Sequence, residues 1–155
     1  MSKEYIWNYI LFSEYECSHC HRLPPLFYHD DGGRKKDVPA IYQPLFEAFE
    51  DIRTRWGKSI NISSGYRCIK KQRELYDQDI TTAIISVHSF GMSLDLDTLD
   101  EEETKSLVKL IEKYQPELRI GYMSYLNRGQ SLVHIDTGFL ISPPYSKKLY
   151  RGNRW

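Results

Sequence analysis

The chain has 155 residues, the size of one domain, and 21 Lys+Arg balance 21 Asp+Glu to a formal net charge of zero. That balance excludes the broad basic surface of a general nucleic-acid binder, so no nucleic-acid partner is expected. Apolar residues at 41 % and aromatics at 14 % supply a packed core and exclude wholesale disorder.

The longest apolar run, Ile6–Phe12, is broken by Asn8 and falls far short of the ~20 residues of a membrane span. Ser13-Glu14-Tyr15-Glu16 follows it, where a secretory signal would place small residues for cleavage. Synthesis in the cytoplasm without a signal peptide, and without membrane insertion, is therefore the expectation. Three cysteines, an odd number, do not make a disulfide scaffold. Residues 13–37 are rich in Cys, His, Pro, Asp and Gly, so residues 1–37 read as an irregular N-terminal segment of a single domain over 1–155.

Val38–Trp56 has helical spacing, with Ile41, Leu45, Phe49 and Ile52 on one stripe and Phe46 and Trp56 widening it. Pro44 kinks this helix or delays its start, and Gly57 ends it. Ser59–Ser63 alternates as a strand running into a turn at Gly65. Lys70–Gln78 reads as a helix, and Ile80–Ile85 fits either state. Ser93–Asp97 alternates again. Asp100–Tyr114 has an acidic first turn followed by Leu107, Leu110 and Ile111, a second helix. Arg119–Met123 and Ser131–Asp136 are the remaining strands, and a tail over 141–155 carries Pro143-Pro144 and ends basic and aromatic. Helices and strands mix without a βαβ rhythm, which predicts an α+β fold: a largely antiparallel sheet with flanking helices.

Two of these strands carry more polar residues than burial alone would select. Alternation puts Leu94 and Leu96 on one face and Asp95 and Asp97 on the other. It likewise separates Val133 and Ile135 from His134 and Asp136. Side by side, the two strands would present carboxylates and an imidazole together, a costly cluster that a divalent metal satisfies directly. His88 lies seven residues before Asp95 with Gly91 between them, room for a turn that returns the ring to the strand. His88, Asp95 and His134 would then offer two nitrogens and one oxygen, with a fourth position open, as in hydrolytic zinc sites.

Ser86-Val87-His88-Ser89-Phe90-Gly91-Met92-Ser93-Leu94-Asp95 resembles the Ser-x-His-x-x-Gly-x-x-x-Asp signature of the zinc D-Ala-D-Ala carboxypeptidases and related murein endopeptidases, which share the hedgehog/DD-peptidase fold. Ser64-Gly65-Tyr66-Arg67, with Gln72 and Leu75-Tyr76 after it, is similar to the family's Ser-Gly-Tyr-Arg segment. Gly121-Tyr122 and Val133-His134-Ile135-Asp136-Thr137-Gly138 are similar to its last metal-bearing strand. Phe12-Ser13 and Glu16-Cys17 resemble the opening of small phage-encoded members. The resemblance spans roughly residues 12–140. It implies that His88, Asp95 and His134 bind one catalytic Zn2+. It also implies that Arg67 faces substrate, as an oxyanion stabiliser or a carboxylate clamp, tasks that suit a planar permanent cation. A surface salt bridge is the other reading of Arg67. Ser86 is expected around the metal loop, and Gln72 in the substrate groove or on a plain helix surface.

The pattern also departs from the family's. Relatives place an acid three positions before the last histidine, or a histidine two before it, as general base; here Ser131 and Leu132 stand there. Asp136 is the substitute, as base or as the group that orients an imidazole, with Asp97 behind it; a spacing of two places it ~7 Å along the strand. Residues 78–85 replace the usual Asn-rich segment, so substrate preference does not transfer. Cys17-Ser18-His19-Cys20-His21 is half of a zinc motif whose completion would need further ligands such as His29 or Cys68. Free or buried thiols are the expectation, and a second zinc at Cys17 and Cys20 is not expected. The resemblance implies a zinc peptidase acting on peptidoglycan stem peptides as a carboxypeptidase or endopeptidase, in the manner of a phage endolysin or virion-associated wall hydrolase; a monomer is expected. The alternative is a zinc-containing wall-binding or virion protein with little or no turnover, motivated by the missing acid.

Overall fold

The computed structural model describes residues 3–80 and 86–140, so most of the ambiguous Ile80–Ile85 segment and the tail over 141–155 lie outside the described residues. Along the chain run β1 (Tyr5–Trp7), β2 (Ile10–Leu11), α1 (Phe12–Tyr15), α2 (Gln43–Trp56), β3 (Ile62–Ser64), α3 (Ile69–Asp77), β4 (Ser93–Asp97), α4 (Glu101–Tyr114), β5 (Arg119–Gly121), α5 (Met123–Asn127) and β6 (Leu132–Asp136). Single 3-10 turns occupy Pro25–Phe27, Val87–Phe90 and Gly138–Leu140. The fold is α+β, as expected: β3-β4-β6-β5 form one sheet whose neighbours are all antiparallel, and β1 and β2 pair separately.

The helices form where the apolar spacing places them, with ends set by local chemistry. α2 begins at Gln43, five residues later than the spacing predicts, because Pro44 lacks an N–H and is accommodated only in a first turn. Ile41 is consequently off the helix and 42 % exposed, while Tyr42 is buried in its place. Leu45, Phe46, Phe49 and Ile52 are fully buried, and Gly57 ends the helix at φ 76°, its N–H bonded to the Arg53 carbonyl. In α4, Asp100 is the N-cap: its Oδ1 accepts from Glu103 N–H at 2.8 Å. Leu107, Val108 and Ile111 carry the buried stripe, and Leu110 packs only partly against it. α4 packs on both α2 and β6. Inward from the sheet, Ile62, Leu94, Leu96, Ile120, Val133 and Ile135 join the same core, each burial contributing about 1.5–3 kcal/mol.

Two strand assignments shift. β5 stops at Gly121, since Tyr122 leaves extended geometry (ψ −28°) and starts α5, so Met123 is helical. The strand expected over Ser59–Ser63 pairs only from Ile62, opposite Leu96.

Candidate metal centre

Asp95 lies directly opposite His134 in the β4–β6 ladder, with Gly121 on the other side of His134. Alternation sends Leu94, Leu96, Val133 and Ile135 into the core and turns Asp95, His134 and Asp136 to the opposite face. His88 arrives from the 3-10 turn instead. Ser86 caps that turn, its Oγ accepting from His88 N–H at 3.2 Å. Gly91 closes it at φ 75°, and a Cβ there would collide with Pro24 Cγ and with Tyr15 Oη. The buried Tyr15 hydroxyl donates to the Gly91 carbonyl at 2.6 Å, which fixes the turn against the core.

The three side chains converge. His88 Nε2 is 3.2 Å from Asp95 Oδ1, and His134 Nδ1 is 2.9 Å from the same oxygen. The imidazoles meet edge-on, ring centroids 5.0 Å apart. The outer nitrogens are already committed. His88 Nδ1 lies 2.7 Å from the Gly65 carbonyl, an acceptor only, so that nitrogen carries the proton and Nε2 keeps its lone pair. His134 Nε2 lies 2.7 Å from Asp136 Oδ2, which leaves Nδ1 facing Asp95. Gly65 itself admits no side chain, because a Cβ would come 2.7 Å from Tyr15 Cα.

These residues fit a zinc ion. Bonds of ~2.0–2.1 Å in a tetrahedron put neighbouring ligand atoms about 3.3 Å apart, close to the separations from Asp95 Oδ1. One atom from each of His88, Asp95 and His134 lies within 4.8 Å of the others, and all three residues are buried. The electrostatics agree with such a donor set. Burial would raise the Asp95 pKa, but the two imidazoles beside it hold it well below the usual carboxylate range. His88 is lowered, chiefly by burial, with Arg67 and His134 adding to that against the pull of Asp95. Burial also opposes a charge on His134, yet its bonds to Asp136 and Asp95 prevail and raise it to about 9.

Asp136 is fully buried and threefold engaged. Besides His134, its Oδ1 sits 3.2 Å from Arg119 Nε and accepts from Gly138 N–H at 2.8 Å. It approaches the ring nitrogen opposite the one that faces Asp95. Asp97 is turned aside and accepts from Asn61 Nδ2. Ser131 and Leu132 lie half-buried at the start of β6.

Arg67 approaches from the other side, its backbone N–H bonded to the His88 carbonyl at 3.0 Å. Its guanidinium donates to Gln72 Oε1 at 2.8 Å and to Ser64 Oγ at 3.1 Å, which aims it away from a surface salt bridge. Gln72 is fully buried, so it is not a plain helix-surface residue. The structure adds Tyr125, half-buried in α5. Burial first, and Asp95 second, push its phenol well above the ordinary value, against the opposing fields of Arg67 and Arg128. It therefore keeps its O–H at neutral pH. Its segment reads as the loop after a strand, and only the Gly121-Tyr122 pair nearby marked the region.

None of the described helices is long and apolar enough to cross a membrane. No curated protein matches the chain. A crystal structure of the Serratia marcescens L-Ala D-Glu endopeptidase ChiX is similar, with a TM-score of 0.49 and 13 % identity over 61 % of this chain and 77 % of that one. The sequence pattern of Peptidase M15 matches residues 29–136, more than half of the chain and a stretch that contains Arg67, His88, Asp95 and His134. On that match the chain belongs to the M15 family of zinc peptidases.

Proposed function

We propose that this protein is a single-domain, zinc-dependent peptidase that hydrolyses amide bonds in the stem peptides of peptidoglycan. In this reading His88 Nε2, an Asp95 oxygen and His134 Nδ1 hold the ion. Bound zinc supplies a Lewis acid for the scissile carbonyl and lowers the pKa of a water towards ~7. The observation that carries the proposal is the convergence of two imidazoles, each with its outer nitrogen already committed, on one ionised carboxylate oxygen.

The remaining residues divide the work. Asp136 orients His134 and is not the base, since it is buried, paired with Arg119 and set behind the ring. Arg67, held rigid by Gln72 and Ser64, offers a fixed cation to a developing oxyanion or a peptide carboxylate. Gln72 and Ser86 act through the groups they hold, Arg67 and the His88 turn. Tyr125 supplies an un-ionised O–H that feels the charges of both Asp95 and Arg67.

Digestion of purified sacculi, followed by mass spectrometry of the products, tests this reading. Free D-Ala would indicate a carboxypeptidase, and a split crosslink or shortened stem an endopeptidase. Either activity should vanish on chelation and in His134→Ala. A second reading, a wall-binding protein without turnover, draws on the lack of an ionisable side chain at positions 131 and 132. Stoichiometric stem-peptide binding without any product would establish it.

A further inference from the structure

The cysteines, expected as ordinary thiols, lie in one place. The sulfurs of Cys17, Cys20 and Cys68 are all within 4.8 Å of one another, although Cys68 follows Cys17 by 51 residues, and none is in a disulfide. His19 stands beside the group, next to Cys68: its Nδ1 is 3.9 Å from Cys68 Sγ, while its Nε2 is 3.5 Å from Glu74 Oε1. A ring with one nitrogen towards a thiol and the other towards a carboxylate has the orientation of a metal-binding histidine with its supporting acid. His29, the alternative ligand in the sequence, is exposed and turned to the Gly33 carbonyl through its backbone.

The backbone around the sulfurs is arranged in the same sense. Cys17 N–H bonds the Arg22 carbonyl and His21 N–H the Cys17 carbonyl, closing residues 17–22 into a knuckle with His21 at φ 55°. His19 and Cys68 N–H groups both donate to Cys17 Sγ, at 3.4 and 3.3 Å. Lys71 N–H donates to Cys68 Sγ at 3.4 Å, so this sulfur also caps α3. Amides aimed at sulfur favour thiolate over thiol.

We propose that Cys17, Cys20, Cys68 and His19 Nδ1 form a second, closed zinc site of structural type. Three sulfurs and one imidazole make a complete tetrahedral set with no position left for water, unlike the centre at His88. Soft sulfur donors select zinc over the hard cations. The ion would tie the 17–22 knuckle to the start of α3, next to Arg67 and one turn before Gln72. The site stands independently of the hydrolase reading.

The test is metal analysis of the full chain purified with zinc under reducing conditions. Wild type should carry two equivalents, and the His88→Ala/His134→Ala variant should keep one. With cobalt, the wild-type chain should show near-ultraviolet thiolate-to-metal charge transfer, lost in Cys17→Ser/Cys20→Ser. Glu74→Gln should weaken this site alone, by about 10- to 100-fold. Blocking the thiols of folded wild type with a mercurial should release one equivalent of zinc to a chromogenic chelator, so the proposal does not depend on any variant folding. A cobalt form without thiolate charge transfer, no zinc released by the mercurial, or a Cys17–Cys20 disulfide in the zinc-replete protein would each overturn it.

Discussion

Asp95 and His134 are held by paired strands and His88 by a capped 3-10 turn, whereas Cys17, Cys20 and Cys68 are held by a knuckle and the cap of a short helix. In the first group, two of the proposed ligands stand opposite each other in a ladder whose register the core residues Leu94, Leu96, Val133 and Ile135 enforce. In the second, the positions of the sulfurs depend on backbone N–H groups and on one another. The first arrangement is prebuilt by folding and can leave a coordination position open for chemistry. The second gains order from the ion it is proposed to hold, so its ion should contribute to folding stability.

The sharpest way to break that contrast is to remove a proposed ligand from the first group, the one on the 3-10 turn. His88→Ala should abolish hydrolysis by on the order of a thousandfold or more while the chain stays folded, as read by product formation and far-ultraviolet circular dichroism. Global unfolding would mean that the centre is not prebuilt. Next in size is Asp136→Asn, which strips a buried partner from Arg119 as well as from His134. A loss of about 3–5 kcal/mol in urea unfolding is expected, together with about 10- to 100-fold weaker zinc binding at the sheet centre.

Acidity separates the two centres more finely. The metal-free His134 is raised to about 9, so at neutral pH zinc must displace a proton from it. Apparent zinc affinity should rise about tenfold per pH unit from pH 7 until it levels near 9, with close to one proton released per ion, measured by calorimetry in buffers of differing ionisation enthalpy. The same shift stabilises the metal-free fold: a pKa raised on folding contributes fully below the unfolded value of about 6.5 and is lost as pH rises through 9. Metal-free protein should therefore lose stability over that interval, visible as a falling Tm. The smallest effect is expected from Gln72→Ala, which frees one end of the Arg67 guanidinium. A roughly tenfold drop in kcat/KM with zinc content unchanged would mark Gln72 as a positioning residue for Arg67.

How much could be read beforehand follows from range. The alternation of Leu94-Asp95-Leu96 and Val133-His134-Ile135 is local, so both faces of the sheet were legible, and the spacing around Gly91 pointed to the turn that returns His88. The start of α2 was not, because the competition between Pro44 and an apolar stripe reaching back to Ile41 is settled by the first turn's geometry. The role of Gln72 depends on burial against Arg67, which a polar residue in an amphipathic helix does not announce. Asp136 is open between two roles in the sequence, which does not reveal its pairing with Arg119, 17 positions earlier but opposite it across β5 and β6. The thiol cluster needed a contact across 51 residues and had the weakest local signal of all.

Tyr15 links the beginning of the chain to its chemistry. Its hydroxyl holds the Gly91 carbonyl, its own carbonyl accepts from Tyr66 N–H at 2.7 Å, and its backbone packs on Gly65. A shortened protein beginning at Glu16 would thus lose a brace shared by the His88 turn and the Arg67 arm, and would forfeit hydrolysis without any ligand having been touched. Tyr15 is, in this sense, a support of the proposed site as much as of the core.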